Sequence, residues 1–415
     1  MYPRPTDRPF FDREVPSTGR KVFMTRRRIA YFGSSTAVDA GSELCLLRMV
    51  RRFHETDEAT LFLPDEGPLF ERARESGIDA VNLSFLRLRK RRGWDWVRWR
   101  KSRAEAAVRL EAEIRKRGLQ LVHFNDVIDA PFYSIPKKAG IPAVSHVRLI
   151  LGSAAGRALY RAVVRRAGVF VIPVSSAVER AMPGRDAAIR RESVYDPRPD
   201  PEAFRPSTES DGEERNAIRR NLGWSDQDFV VAMVSKLLEN KGHLNFIAAA
   251  KELERRCPDR YRFLMIAGAA EGRELYRKRV EKAREGLPPY LFRWLPGARH
   301  AELPRYLRAA DLLLHLPDTE DSFPGVVLEG MASGLPVAAY RAGGIPEQLD
   351  DGRAGILVPR GDIGAAADAV ETLFGDKERR TALREAALER LGTEFTAERF
   401  FEALDGIYRR LIGER

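Results

Sequence analysis

Short apolar runs alternate with longer stretches of helical period along this chain, and the alternation occurs twice over. In the first half, residues 28–33 (RIAYFG), 59–64 (ATLFLP), 121–125 (LVHFN), 142–147 (PAVSHV) and 169–175 (VFVIPVS) read as strands. In the second half, 229–235 (FVVAMVS), 262–268 (RFLMIAG), 312–317 (LLLHLP) and 336–340 (PVAAY) repeat the theme. Strands separated by helices predict parallel sheets, so the expected fold class is α/β with two such units in place of one long sheet. A stretch rich in Pro and charge near 196–214 reads as the linker. From Thr396 onward, Phe400, Leu404, Ile407 and Leu411 share one stripe of a helix, which therefore has a face to bury. The predicted domains are 28–200 and 201–392, preceded by a flexible basic tail over 1–27 and followed by a helix over 393–415.

A length of 415 residues fits two domains of about 200 each. No run approaches the roughly 18 apolar residues needed to cross a bilayer, and the first residues lack an apolar signal core, so a cytoplasmic location is expected. Met24, just before the first strand, is a second plausible start. Cys45 and Cys257 sit in apolar, helical patterns and form neither a disulfide framework nor a metal cluster. The net charge of +11 changes the picture, because it calls for an anionic partner: nucleic acid, a membrane surface or a phosphorylated substrate.

Open parallel sheets bind ligands beyond the carboxyl ends of their strands, so the informative residues should follow strands. Lys236 and Lys241 follow the 229–235 strand, and two ammonium groups on such a loop can neutralise a diphosphate, as a divalent cation does elsewhere. The string DSFPGVVLEGMASGLP at 321–336 reads as a short helix that Ser322 can cap, that accepts Pro324 in its first turn and that stops at Gly334 and Pro336. Its start, around Phe323, Pro324, Gly325 and Val326, offers backbone N–H groups to an anion. Asp321 lies just outside that start and Glu329 lies roughly 12 Å further on at ~1.5 Å rise per residue. Carboxylates so spaced can grip two ends of an elongated ligand but not one small metal ion. GGIPE follows at 343–347. In the first half, Gly41 and Ser42 open a helix, Asn125 and Asp126 follow a strand as acceptor-contact candidates, and His146 lies in the 142–147 strand. Asp226 and Asp228 precede their strand and no zinc spacing occurs, so no metal site is expected.

Together these strings resemble the retaining glycosyltransferases of family 4. Their Glu-x7-Glu donor motif appears here with Asp321 as first member. SKLLENKG at 235–242 stands where the family reads G-R-L-x-x-x-K-G, and Ala40-Gly41-Ser42-Glu43 stands where it reads Gly-Gly-x-Glu. The resemblance spans roughly 28–412 and implies the GT-B fold: two facing Rossmann-like domains, with the last helix crossing back onto the first. It implies that Glu329 binds ribose hydroxyls, Lys236 and Lys241 the diphosphate, and the amides of Phe323 to Val326 the phosphate or sugar. It also implies that Gly41 and Ser42 touch the donor, that Asp321 lies near the donor sugar and that His146 faces it. The implied reaction moves a sugar from a nucleotide diphosphate sugar with retention at the anomeric carbon. It needs neither metal nor cofactor, and the acceptor is a lipid-linked or glycan molecule of cell-surface polysaccharide or glycolipid synthesis.

Residues 87–103 (RLRKRRGWDWVRWRKSR) carry nine Lys/Arg against one Asp, with three tryptophans interleaved. This pattern predicts contact with an anionic membrane: Arg87, Arg89, Lys90, Arg91 and Arg92 on lipid phosphate, with Trp94, Trp96 and Trp99 at headgroup level. It would hold the protein peripherally on the inner face of the cell membrane. No recognised nucleic-acid fold surrounds the segment, so nucleic acid is not expected as partner. Two alternatives are a nucleotide-sugar epimerase of the same architecture and a non-catalytic basic membrane- or RNA-binding module.

Overall fold

The structure, a computed structural model, describes residues 26–38, 41–87, 94–182, 187–268 and 272–413. Among the described residues, twelve strands form two sheets of six, parallel throughout. The first holds β1 (Arg28–Phe32), β2 (Glu58–Leu63), β3 (Asp79–Asn82), β4 (Leu121–Phe124), β5 (Ala143–Val147) and β6 (Phe170–Pro173), in the order β3-β2-β1-β4-β5-β6. The second holds β7 (Phe229–Lys236), β8 (Tyr261–Gly268), β9 (Phe292–Leu295), β10 (Leu312–His315), β11 (Val337–Tyr340) and β12 (Ile356–Val358), in the order β12-β11-β10-β7-β8-β9. Counted from its own first strand, each sheet has the doubly wound order 3-2-1-4-5-6. Its topological switch points therefore lie between β1 and β4 and between β7 and β10.

All nine strands expected from the apolar runs are present. The three without a predicted counterpart, β3, β9 and β12, each lie at the edge of a sheet. Most of their residues are half-buried, so they lack the continuous apolar run of a central strand.

Alternate residues of a strand face opposite sides of its sheet. In β1, Ala30 and Phe32 enter the core shared with the second domain's cluster, whereas Ile29 and Tyr31 enter the core beneath the last helix. That helix, Ala397–Ile412, starts at Thr396, whose side chain accepts from the Arg399 N–H. It buries Phe400, Leu404, Ile407 and Tyr408, and Leu411 is only half-buried. It crosses back to the first domain: the Tyr408 hydroxyl lies 2.7 Å from His123 Nδ1, and Asp405 pairs with Arg27 at 2.6 Å. Arg27 also pairs with Asp57 at 2.8 Å and is buried, so the expected tail is anchored by its last residue. Residues 1–25 lie outside the described residues.

Candidate functional site

Two of the four strands that flank the switch points, β4 and β7, deliver candidate residues directly at their carboxyl ends. Lys236 ends β7, and Lys241 follows on a short turn. Gly242 has φ +80°, and a Cβ there would lie 1.7 Å from the Leu316 carbonyl oxygen, so glycine lets this loop press against the end of β10. The result is a contact between distant motifs: Lys241 Nζ donates to Asp321 Oδ2 at 2.6 Å, with His315 Nε2 3.5 Å from the same oxygen. Burial alone would push the Asp321 carboxyl up, but the His315 ring and Lys241 ammonium outweigh it and hold the group well below the usual carboxylate range. His243, behind the loop, is held neutral by burial, which lowers its pKa to about 4.

The helix expected within 321–336 spans Gly325–Ala332 and has Pro324 as its N-cap. Ser322 does not cap it, because its hydroxyl is used elsewhere: it donates to the Arg148 carbonyl of the first domain at 2.5 Å. Gly325 at the helix start is exposed, and Glu329 sits one turn on, 3.2 Å from His300 Nε2. Phe323 turns its ring away from this start and stacks on Tyr195 of the chain leaving the first domain, centroids 5.3 Å apart. The GGIPE string explains its place beside this loop. Gly344 N–H donates to the Asp321 carbonyl at 2.8 Å, and a Cβ at Gly343 or Gly344 would overlap the Asp321 or Ser322 backbone. Gln348 Nε2 then holds the Pro324 carbonyl at 3.0 Å.

In the first domain the organising group is Arg148, which follows β5 and which the sequence reading does not single out. Its guanidinium donates to both carboxylate oxygens of Asp196 at 2.9 and 2.8 Å and to Asn125 Oδ1 at 2.7 Å, and it lies 3.2 Å from His146 Nδ1. Asn125 in turn donates to the Ser42 carbonyl at 3.2 Å, which joins the β4 end to the helix opened by Gly41. Asp126 caps the turn after β4, and burial pushes its carboxyl up to about 6. Fully buried Asp129, which accepts from the Ser34 hydroxyl, is raised well above the usual range by the same cause. Arg148 would be visible to a search of residues just past strand ends, the rule that finds Asn125 and Lys241.

His146 is not brought to this surface. It is the fourth residue of β5, and the strand's alternation turns it with Val144 toward the last helix, where it is wholly buried and stacks on Phe400 with centroids 6.1 Å apart. Burial and then Arg148 hold its pKa well below the ordinary histidine value. The expectation that it faces a donor sugar is corrected accordingly. A second residue whose part the sequence reading leaves open is Glu347. Its carboxylate reaches across to the first domain and accepts from Ser176 N–H at 2.8 Å, Ala177 N–H at 2.7 Å and the Tyr195 hydroxyl at 3.1 Å. The Ser175 hydroxyl donates to the Ser322 carbonyl at 2.8 Å. The two switch points thus face each other across a polar seam.

Asp226 and Asp228 precede β7, at the end of the sheet away from this site, and Asp228 pairs with Arg262 at 3.0 Å. Among the described residues, no group of three His, Cys, Asp or Glu could hold a metal ion. Of the basic segment, Arg89, Lys90, Arg91 and Arg92 lie outside the described residues. Arg87 is described, with its guanidinium 3.1 Å from Thr36 Oγ1. Trp94, Trp96 and Trp99 lie in the first turns of the helix Trp94–Arg117, whose buried face starts only at Ala106. Trp94 is 83% exposed and Trp96 48%, with the Arg100 guanidinium 4.6 Å over the Trp96 ring. Among the described residues no helix is long and apolar enough to cross a membrane.

Residues 214–390 match the family profile of glycosyl transferases group 1. D-inositol 3-phosphate glycosyltransferase of Corynebacterium urealyticum is 34% identical over 254 residues, covering 60% of this chain and 58% of that protein. Its counterpart in Corynebacterium glutamicum is 34% identical over 245 residues, covering 58% and 57%. The matched region spans less than two thirds of the length of these curated relatives. Among solved structures, Anabaena HepE in complex with UDP and glucose superposes with a TM-score of 0.76 at 22% identity, covering 92% of this chain and 99% of that one. Sucrose-phosphate synthase from Thermosynechococcus elongatus gives 0.75 at 17% identity, covering 94% and 100%. Both show the same fold, the GT-B arrangement of two Rossmann-like domains.

Proposed function

We propose that this chain, whose residues 214–390 match the group 1 glycosyltransferases, transfers a sugar from a nucleotide diphosphate sugar held at the carboxyl end of the second sheet. The observation that carries this reading is the convergence of Lys241, Asp321 and the exposed start of Gly325–Ala332 at the β7/β10 switch point. The ammonium groups of Lys236 and Lys241 face the diphosphate and stabilise the charge that builds on it as it leaves. The N–H groups at Gly325 and Val326 add the positive end of a helix, and Glu329 accepts from the ribose hydroxyls. Asp321, kept ionised, lies where positive charge develops on the sugar carbon. With cations supplied by lysine, transfer proceeds without a metal. In a retaining reaction the bond from the anomeric carbon to the diphosphate oxygen breaks, the acceptor oxygen bonds to that carbon on the same face, and the departing diphosphate takes the acceptor's proton.

The acceptor approaches from the first domain, past Asn125, Asp126 and the helix opened by Gly41 and Ser42. The Corynebacterium relatives are named for D-inositol 3-phosphate, and HepE is described with UDP-glucose, so these two compounds head the substrate panel. The test incubates radiolabelled UDP-, GDP- and ADP-sugars with inositol phosphate and with lipid-linked glycan in the presence of chelator. Labelled glycoside is the expected product; an epimerised donor with no acceptor dependence would replace the transferase reading by an epimerase.

A second reading concerns where the acceptor resides. Trp94, Trp96 and Val97 expose apolar surface beside arginines on a helix end that buries nothing of its own. We propose that this end rests on an anionic membrane and brings the first domain to a lipid-linked acceptor. Flotation with anionic liposomes at low salt tests it, and protein that stays in the soluble fraction would leave a soluble acceptor.

A further inference from the structure

A cavity of about 280 Å³ opens at the amino-terminal end of the second sheet, the end opposite the donor site. Its wall includes Phe229 at the start of β7, Asp311 just before β10 and Pro336 just before β11. β7 is eight residues long, so roughly 20 Å of strand separates this cavity from Lys236 at ~3.3 Å per residue.

The lining is strongly cationic. Arg215, Arg308, Lys377, Arg380 and Arg384 all border the cavity, whose lining holds the single carboxylate of Asp311; Arg308 also pairs with Glu214 behind the lining at 3.1 Å. That carboxylate is already consumed: it pairs with Arg215 and Arg219 at 2.6 Å each and accepts from the Val230 N–H at 2.7 Å. Lys377, Arg380 and Arg384 share one face of the helix Lys377–Thr393, and among the described residues none of them pairs with a carboxylate, although Arg380 Nη1 donates to the Phe374 carbonyl at 2.8 Å. Like charges gathered on one wall repel one another, and a bound anion would relieve this. A second observation points the same way. The Ser333 hydroxyl lines the cavity, the residue is only 4% exposed, and its oxygen has no hydrogen-bond partner. Arg308 Nε, also in the lining, is buried without a hydrogen-bond partner, the nearest carboxylate oxygen, of Asp211, lying 3.7 Å away. Buried polar atoms left unpaired are costly, so a donor pair of this kind implies an acceptor-rich guest.

We propose that this cavity is a second anion site, separate from the donor site, that takes a small compound bearing one or two phosphate groups. Phosphate oxygens would accept from Ser333, Arg308 and the guanidinium groups of Arg380 and Arg384, while Lys377 supplies charge at the mouth. A cationic compound would meet like charge here.

The test titrates inorganic pyrophosphate calorimetrically into the full chain at low salt, and into Lys377→Glu/Arg384→Glu and Lys241→Ala variants. Lys377 and Arg384 are exposed, so the charge reversal should leave the thermal melt unchanged. The expected result is a class of sites that weakens at least tenfold in the double variant and survives in Lys241→Ala. Identical pyrophosphate binding in the double variant would overturn the proposal, as would loss of all binding in Lys241→Ala. A Ser333→Val variant gives a separate check, because it removes the buried hydroxyl and should weaken the same class alone. Failure of the donor reading would appear differently, as an effect of Lys241→Ala on nothing.

Discussion

Replacing Glu347 by Gln tests whether one carboxylate fastens the two domains together. Ser176 and Ala177 open the helix Ser176–Ala181, and their N–H groups are among those a helix leaves without an internal partner. Glu347 satisfies both, one with each oxygen, and takes the Tyr195 hydroxyl as well. Gln has a single carbonyl oxygen, so whichever N–H it serves, its NH2 group then opposes the other donor. One charge-assisted bond is lost, about 1.5–3 kcal/mol. The favourable placement of a negative charge at a helix start goes with it, a further ~0.3–1 kcal/mol. The sum, about 2–4 kcal/mol, falls on the seam and not on either core, because donor and acceptor belong to different domains. At 1.4 kcal/mol per factor of ten, this is roughly a 30- to 700-fold shift toward a parted seam. Hydrogen exchange reads it directly: the Ser176 and Ala177 amides should exchange faster in the variant by that order, with the strands of both sheets unaffected. Unchanged exchange at these two amides would refute the assignment of Glu347 as their partner.

Lys241→Ala should lower donor affinity more than Lys236→Ala and should lower stability by about 3 kcal/mol, since it strips a largely buried carboxylate of its cation; equal melting temperatures would remove the pair from the account. Asp321→Asn should reduce turnover more than donor binding, which steady-state kinetics beside calorimetry will show, and wild-type turnover would deny Asp321 a part in the reaction. Asp126 has a folded pKa near 6, above the ~4 of an unfolded aspartate, so its ionisation costs stability as pH rises from 4 through 6. Asp126→Asn should therefore gain on the wild type between pH 4 and 7, by up to about 3 kcal/mol in urea unfolding, and a constant difference would contradict the shift. Replacing Trp94, Trp96 and Trp99 by serine should release protein from anionic liposomes without changing donor affinity, since their helix lies between β3 and β4 of the first sheet.

The strands and motifs visible in the sequence are those whose environment is uniform along the chain. Central strands are buried on both faces, so RIAYFG and FVVAMVS stand out, whereas β3, β9 and β12 are half-exposed edges that do not. Lys241 was legible as a residue past a strand end and Asp321 as one just outside a helix start, but their mutual contact was not, because it depends on Gly242 closing against Leu316. His146 shows the opposite failure. A histidine near a strand end suggests chemistry, and only the parity of β5 reveals that it points at Phe400. Arg148 and Glu347 went without a role for a related reason: each acts by joining segments far apart in sequence, through Asp196 and Asn125 in one case and Ser176 in the other.

The central claim is that the carboxyl end of the second sheet holds a nucleotide diphosphate sugar through Lys241 and Glu329 without a metal. Calorimetric titration of UDP-, GDP- and ADP-glucose into the protein in chelator, repeated with Glu329→Gln, tests it most directly. The account predicts saturable one-to-one binding of at least one donor, weakened tenfold or more in the variant, consistent with a charge-assisted bond of about 1.5–3 kcal/mol. Absence of binding for every donor until magnesium or manganese is added, or equal affinity in Glu329→Gln, would contradict it.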